Sequence, residues 1–281
     1  MAYKQPNFFI LGAAKSGTTS LYFWLKQHPE IFLSEVKETC FFSESFQVVD
    51  NPIDYVNLFR TASKEKIIGE ASHVYLTNPA TAQVLHSLFP EAKFVVVLRN
   101  PVDRAYSLYH HMVRHGYEWC RSFEQALEVE ESRFCAPDFK NNCGQYYYNF
   151  FYYRSGLYGE QLARYLDLFP RENFYIIPFV RLKNDPLAVL REIFHFLSVD
   201  TEFFPEVAVH NQGTMTARWP NFHYALHQRW PFRSLPAIRS MLASKNLVPV
   251  PPLSEKTRGQ LMARYQDDLQ RLYELTGVTV S

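Results

Sequence analysis

The chain has 281 residues, with 29 lysines and arginines against 28 aspartates and glutamates, and its formal net charge is +1. This balance gives no global attraction to nucleic acid or to an anionic membrane, so any anion must be bound locally. A hydrophobic content of 47% with 20% charged residues is typical of a globular protein with a substantial core. We therefore expect a single domain over residues 1–281.

The N-terminal half alternates buried-strand patterns with helical ones. Residues 8–11 form an apolar run that predicts a buried parallel strand, and the run ends at Gly12 in a loop of small residues. The run at 92–98 is rich in β-branched residues and predicts a second buried strand. A further strand is predicted at 66–72, and helices are predicted at 21–27, 51–60, 79–89 and 101–115.

The C-terminal half continues this alternation with less regularity. The patterns predict a strand at 173–177 and helices at 122–131, 157–169, 186–197 and 254–275, whereas 132–144 is predicted to be a polar loop and 205–252 has no clear pattern. Alternating strands and helices predict an α/β fold with a central parallel sheet flanked by helices. Ligands of such folds bind at the carboxyl ends of the strands.

The compartment is predicted from what the sequence lacks. No stretch is long and apolar enough for a transmembrane helix, and the four cysteines lack metal-ligand spacing. Free cysteines are typical of a reducing compartment, although a bridge between Cys135 and Cys143 stays open. We expect a cytoplasmic protein that binds neither membrane nor nucleic acid.

The loop at 12–19 is the first candidate site. A strand, a glycine loop and a helix N-terminus together bind phosphate, because free N–H groups and the helix dipole attract the anion. A Walker A loop carries lysine directly after its second glycine. Here Gly17 is followed by Thr18, and the lysine, Lys15, comes two residues before the glycine. The spacing argues against an ordinary nucleoside-triphosphatase loop, although glycine and threonine are also common turn residues.

A second anion site is predicted where the strand 92–98 ends. Arg99 leaves this strand as a bidentate phosphate donor, and Ser107 follows two helical turns later with a hydroxyl. Glu38 supplies a carboxylate on a loop between the two sites. Both motifs fall at the carboxyl ends of strands, where ligands bind, and this agreement supports an anion-binding site more strongly than either motif alone.

These motifs resemble the sulfotransferases that use 3′-phosphoadenosine 5′-phosphosulfate (PAPS), in their heparan-type and bacterial branch. The similar stretches are 14–19, 37–42, 69–75 and 155–162, together with the Arg99 and Ser107 spacing. The resemblance covers about 7–200, which we expect to form the core, with 201–281 covering acceptor and cofactor and ending in a helix. It implies a P-loop-like fold and sulfuryl transfer without a metal, with adenosine 3′,5′-bisphosphate as the product.

The resemblance also implies roles for individual residues. Lys15 would neutralise charge on the leaving phosphate, and Glu38 would take the proton of the acceptor hydroxyl or amine. The family pattern is not fully kept, since Cys40 stands where histidine is usual and Ala71 where lysine is common. His73 stands where proline is common and is an alternative base. The implied cofactor-binding residues are Lys15, Ser16, Gly17, Thr18, Thr19, Ser20, Arg99, Ser107, Tyr158 and Arg218.

The acceptor and the rival classes stay open. The balanced charge and the 16% aromatic content argue mildly against a long polyanionic glycan, so we expect a small hydroxylated metabolite or a carrier-bound chain. A glycan O-sulfotransferase is the alternative. An ATP- or GTP-dependent phosphotransferase and a non-enzymatic nucleotide-binding module are the alternatives from other classes. The sequence indicates no oligomeric state.

Overall fold

The computed structural model describes residues 4–208, 213–230 and 232–280. The chain divides into two compact units, each assembled from separate stretches of sequence. Unit 1 takes its residues from Met1–Asn100, Tyr158–Asn211 and Asp267–Ser281, and unit 2 from Pro101–Leu157 and Gln212–Gln266. The single domain with a core at 7–200 and a covering region at 201–281 stays a prediction.

Seven strands occur in the described residues. They are β1 (Phe8–Gly12), β2 (Ile31–Leu33), β3 (Ile67–Ala71), β4 (Lys93–Leu98), β5 (Phe174–Pro178), β6 (Met215–Ala217) and β7 (Leu247–Pro249). The first five form the sheet of unit 1 in the order β2-β3-β1-β4-β5. All neighbouring pairs in that sheet are parallel. Strands β6 and β7 form an antiparallel pair in unit 2.

The helices follow the strands in the alternation that the sequence predicts. They are α1 (Thr18–Leu25), α2 (Pro52–Asn57), α3 (Val74–Thr77), α4 (Thr81–Leu88), α5 (Pro101–Arg114), α6 (Phe123–Glu128), α7 (Glu130–Cys135), α8 (Phe139–Asn142), α9 (Tyr158–Leu166), α10 (Phe179–Asn184), α11 (Pro186–Leu197), α12 (Pro220–Gln228), α13 (Pro236–Lys245) and α14 (Glu255–Thr276). Among the described residues, no helix is both long enough and apolar enough to cross a membrane.

The sheet of unit 1 is buried on both faces, as expected for parallel strands. On one face Phe8 and Ile10 join a core cluster with residues of α1 and α11. On the other face Phe9 and Phe94 stack at a ring distance of 6.1 Å. Successive side chains of a strand point to opposite faces, so an unbroken apolar run supplies core residues to both faces of the sheet. The predicted α/β fold with a central parallel sheet flanked by helices is confirmed.

Unit 2 contains a buried ion pair. Glu118 is fully buried, and its carboxylate accepts two hydrogen bonds of 2.8 Å from the guanidinium of Arg133. The Tyr152 hydroxyl donates to the same carboxylate at 2.7 Å. These partners hold the pKa of Glu118 below its usual range although burial alone would raise it. The pair ties α7 to the aromatic segment before α9.

Several predicted boundaries are wrong. The helix predicted at 79–89 begins at Thr81, because Asn78 is extended (ψ 124°) and ends the short α3 that the sequence did not indicate. The helix predicted at 122–131 is divided near Val129 into α6 and α7. The predicted loop at 132–144 contains the end of α7 and all of α8. All four cysteines are free.

Candidate active site

The strand order places β1 at a topological switch point. After β1 the chain builds β2 and β3 on one side, and it then returns to β4 on the other side of β1. Ligands of open parallel sheets bind at the carboxyl ends of strands beside such a point. The loop after β1, the segment after β3 and Arg99 after β4 all lie at this edge.

The loop between β1 and α1 has a backbone suited to anion binding. Gly12, Lys15 and Gly17 all have positive φ, at 140°, 63° and 84°. Gly17 is the N-cap of α1, with no side-chain cap hydrogen bond. The first N–H groups of any helix lack an intrahelical acceptor, so those of α1 can bind an anion.

Side chains of this loop are turned inward. Ser16 is fully buried, and Thr18 and Ser20 are buried as well. Within the residues that the structure describes, the Ser16 hydroxyl has no hydrogen-bond partner. A buried hydroxyl without a partner costs free energy unless a further group satisfies it. Thr19 is half-buried.

Arg99 contacts the loop directly. Its guanidinium donates to the Lys15 carbonyl at 3.2 Å and lies 5.4 Å from the ring of Phe179. The Tyr158 hydroxyl donates to the Arg99 carbonyl at 3.0 Å. The structure thus brings together Lys15, Arg99 and Tyr158, three residues predicted to bind the cofactor.

Two other predicted cofactor ligands belong to unit 2. Ser107 lies half-buried on α5. Arg218 directly follows β6, is exposed, and places its guanidinium 5.6 Å from the ring of Trp219. Their participation in the cofactor site stays a prediction.

Glu38 and His73 form a close pair in unit 1. The Nδ1 atom of His73 lies 2.7 Å from Glu38 Oε2, and the backbone N–H of His73 donates to the same oxygen at 2.8 Å. Lys37 pairs with the other carboxylate oxygen. The Gly12 backbone closely approaches the backbone of His73, since a Cβ added to Gly12 would lie 3.2 Å from the His73 carbonyl oxygen. The pair therefore lies beside the start of the anion loop.

The charge state of Glu38 follows from these neighbours. Burial by itself raises the pKa of Glu38, but the charges of His73 and Lys37 and their hydrogen bonds outweigh burial. The pKa is therefore held well below its usual range. Glu38 is an ionised hydrogen-bond acceptor at neutral pH, and since a carboxylate only accepts, His73 must carry a proton on Nδ1.

The backbone around Glu38 is held in a left-handed conformation. Glu38 has φ 62° and Cys40 has φ 53°, values that are uncommon for residues with a side chain. The Glu38 N–H donates to the Ala71 carbonyl at 2.8 Å, and the Cys40 N–H donates to the Ser72 hydroxyl at 3.1 Å. The segment after β3 thus fixes the loop that carries Glu38.

Glu70 is a residue whose role sequence reasoning missed. It is fully buried on β3, and its carboxylate accepts hydrogen bonds from four hydroxyl groups, which belong to Thr39, Tyr55, Ser72 and Tyr75. Burial raises the pKa of Glu70 although the four hydroxyls act to lower it. The sequence signal for this role is an acidic residue inside an otherwise apolar strand, which indicates a buried carboxylate with polar partners. We call these five residues the hydroxyl cage.

In the described part of the chain, no group of three or more His, Cys, Asp or Glu side chains is arranged to hold a metal ion. The metal-free site stays a prediction. Cys40, which stands where the family usually has histidine, is buried, and burial raises the pKa of its thiol.

Three similarities to known proteins agree with this geometry. A sulfotransferase from Alicyclobacillus acidocaldarius has a solved structure that matches 99% of this chain and 98% of its own, with a TM-score of 0.76 and 32% identity. The membrane-associated sulfotransferase kil1 of Dictyostelium discoideum is 25% identical over 265 residues. A bifunctional heparan sulfate N-deacetylase/N-sulfotransferase of Drosophila melanogaster is 29% identical over 221 residues.

These curated relatives are longer proteins. Each match covers 69% of this chain, but only 56% of the Dictyostelium protein and 20% of the Drosophila protein. The sulfotransferase domain family matches residues 5–219, which include the anion loop, the Glu38–His73 pair and Arg99. The predicted resemblance is confirmed: this chain belongs to the sulfotransferase family and is an enzyme, a sulfotransferase.

Proposed function

We propose that this enzyme transfers a sulfuryl group from PAPS to a hydroxyl or amine of an acceptor. The observation that carries the proposal is the convergence of the anion loop, Arg99 and the Glu38–His73 pair at one sheet edge of unit 1. The family membership supports the reaction class. The donor, the acceptor and the residue roles are proposed from the chemistry of these groups.

The loop fits the phosphate groups of such a donor. Buried Ser16 offers a hydroxyl without a partner among the described residues, and the first turn of α1 offers N–H groups. When bound, PAPS supplies the activated sulfuryl group for transfer. The loop from Lys15 to Ser20 would hold the 5′-phosphate, and Arg99 would bind the 3′-phosphate. Tyr158 would position Arg99, because its hydroxyl donates to the Arg99 carbonyl. Ser107 and Arg218 are proposed as additional ligands of the cofactor.

Lys15 and Glu38 would have complementary tasks. Lys15 supplies a positive charge where negative charge develops on the leaving phosphate, which is the main contribution that a loose transition state allows. Glu38, held ionised by Lys37 and His73, would accept the acceptor's proton at a carboxylate oxygen. His73 is the alternative base, through Nε2, because Nδ1 is engaged with Glu38.

For the acceptor we propose a small hydroxylated metabolite or a carrier-bound chain. A glycan is the second candidate, and it is favoured by the heparan sulfate relative. The two can be distinguished by incubating the enzyme with radiolabelled PAPS and panels of both acceptor classes. Labelled product from either class supports sulfuryl transfer, and its identity selects the acceptor.

Lys15→Ala provides the test of the catalytic site in the same assay. We expect greatly reduced turnover with an unchanged melting temperature, because the side chain is half-buried in a loop and its removal leaves the sheet intact. The exposed Lys64→Ala is the matched control. Equal turnover in the Lys15 variant and the control would refute the role of Lys15.

A further inference from the structure

Six large apolar side chains on or next to α12 and α13 in unit 2 are exposed. Trp230 is 82% exposed and Trp219 is 59% exposed, values that are unusual for the largest apolar side chains. The α12–α13 surface, as we name it, consists of Trp219, Phe222, Trp230, Leu235, Ile238 and Met241, all of them exposed.

Helix α13 is at most half-buried in the part of the chain that the structure describes. None of its residues, all of them placed by the structure, is buried. Leu235, Ile238 and Met241 are spaced by three, so they follow one side of the helix in successive turns, and Lys245 ends the same side. Short helices in proteins are stabilised mainly by packing of an apolar face. Among the described residues, this apolar side of α13 is therefore exposed to solvent.

The charge of the same segment has one sign. Residues 207–254 contain no aspartate or glutamate, although the chain has 28 such residues in 281. Four arginines and one lysine lie between positions 218 and 245, and of these Arg229 and Lys245 are exposed and have no part in the proposed cofactor site. The balanced net charge of the whole chain conceals this local excess of positive charge.

Against the expectation from the net charge that the protein binds no membrane, we propose that the α12–α13 surface docks on an anionic lipid bilayer. Tryptophan, phenylalanine and aliphatic side chains insert into the boundary between headgroups and acyl chains, and cations beside them bind anionic headgroups. The surface offers both kinds of side chain on short helices at the exterior. The inference goes beyond the proposed transfer reaction and does not depend on it.

A bilayer fits these observations better than an acidic protein partner. Protein interfaces arrange charges of both signs to fix register and exclude wrong partners, whereas this segment has no acid at all. Its most exposed tryptophan, Trp230, has only a small part of its surface covered by the described residues. Such a side chain suits a fluid interface, which needs no matching pocket.

The test is sedimentation of the full chain with two kinds of vesicle, one of phosphatidylcholine and one of phosphatidylcholine mixed with phosphatidylglycerol. We expect binding to the anionic vesicles only, weakened by added salt. The double variant Ile238→Ser and Met241→Ser, and separately Arg229→Glu, should each lower vesicle affinity about tenfold. Tryptophan emission should shift to the blue on binding, and Trp230→Phe should reduce that shift.

Matched controls come from unit 1. Ile53→Ser removes an exposed aliphatic side chain (71% exposed), and Arg60→Glu reverses an exposed charge. Both should keep wild-type vesicle binding, and all variants should keep the wild-type melting temperature, because every substituted side chain is exposed.

Three outcomes would overturn the proposal. They are the absence of binding to anionic vesicles, equal binding to both vesicle types, and equal loss in the surface variants and the controls. In the first of these cases, retention of the chain by soluble polyaspartate would assign the surface to an acidic protein.

Discussion

Two opposing effects set the pKa of the Glu38 carboxylate. Burial favours the protonated form, whereas Lys37 and His73 favour the ionised form and prevail, so the pKa is well below its usual range. If Glu38 is the base, kcat/KM should stay flat as the pH falls from about 7 to 5, because the carboxylate remains ionised. Glu38→Gln should lower kcat about 100-fold or more.

The control and the alternative use the same assay. Glu44→Gln removes an exposed carboxylate nearby and should leave kcat unchanged. Near-normal turnover in Glu38→Gln, with loss of activity in His73→Asn, would transfer the role of base to His73.

Glu70 is expected to position Glu38 through Thr39, whose hydroxyl donates to the Glu70 carboxylate. Glu70→Gln conserves volume, but it replaces one acceptor oxygen by a donor among four hydroxyls, so the Glu38 loop should lose its fixed geometry. We expect kcat to fall about tenfold or more while the affinity for adenosine 3′,5′-bisphosphate changes little. Parallel measurement of kcat and of that affinity checks this. An unchanged kcat, or equal losses in both quantities, would contradict a positioning role.

At the scale of residues, the sequence predicted which residues belong to the candidate site better than which of them contact each other. The spacing of Gly12, Lys15 and Gly17 indicates a phosphate loop because local backbone geometry depends on near neighbours. The Glu38–His73 contact joins positions 35 residues apart. The hydroxyl cage gathers side chains from several separate segments, and no local pattern reports such an arrangement.

At the scale of elements, the junction of the loop and α1 depends on Gly17. Its φ is 84°, and an added Cβ would lie 3.0 Å from the Phe179 ring. Gly17→Ala should lower the free energy of unfolding by about 1–2 kcal/mol, because both the backbone and the ring would be strained. Thermal or urea unfolding measures this, and cofactor affinity should fall with it.

Gly259 on α14 is the matched control. It lies in a helix with open space around it, and its φ is not positive. Gly259→Ala should therefore stabilise the chain by roughly 0.5–1 kcal/mol, since alanine is the better helix former. Equal effects of the two substitutions would show that the Gly17 conformation is not required.

Element prediction succeeded where a single pattern was strong. The runs that became β1 and β4 are uninterrupted and apolar, and amphipathic spacing indicated α11. Prediction failed for 205–252, which nevertheless contains β6, α12, α13 and β7. Its helices are short, begin at prolines and bury few residues, so the sequence pattern indicates them only weakly.

At the scale of the whole molecule, buried histidines should make stability depend on pH. His110 is buried, its Nδ1 lies 2.8 Å from the Thr216 hydroxyl, and burial lowers its pKa to about 4. Burial also lowers the pKa of His223 and His227. The unfolded chain binds protons at these sites from about pH 6.5 downward, whereas the folded chain resists them. Stability should therefore be fully present above that pH and fall toward pH 4.

His110 alone should account for roughly 3 kcal/mol of this loss. Urea unfolding of the wild type between pH 7 and 4 should show the decline, and His110→Asn should make it shallower. The exposed His195→Asn is the control, because the pKa values of His110, His223 and His227 do not depend on it, and its decline should stay close to that of the wild type. Identical slopes in the wild type and the His110 variant would contradict the account.

The central claim is a site in unit 1 for a cofactor with two phosphate positions, and calorimetric titration tests it most directly. Adenosine 3′,5′-bisphosphate should bind the full chain in the presence of a chelator and more tightly than ATP–Mg²⁺. Arg99→Ala should weaken that binding about tenfold or more, because a charged hydrogen-bond donor is lost, whereas Arg60→Ala should not. Preference for ATP–Mg²⁺, or wild-type affinity in the Arg99 variant, would contradict the account.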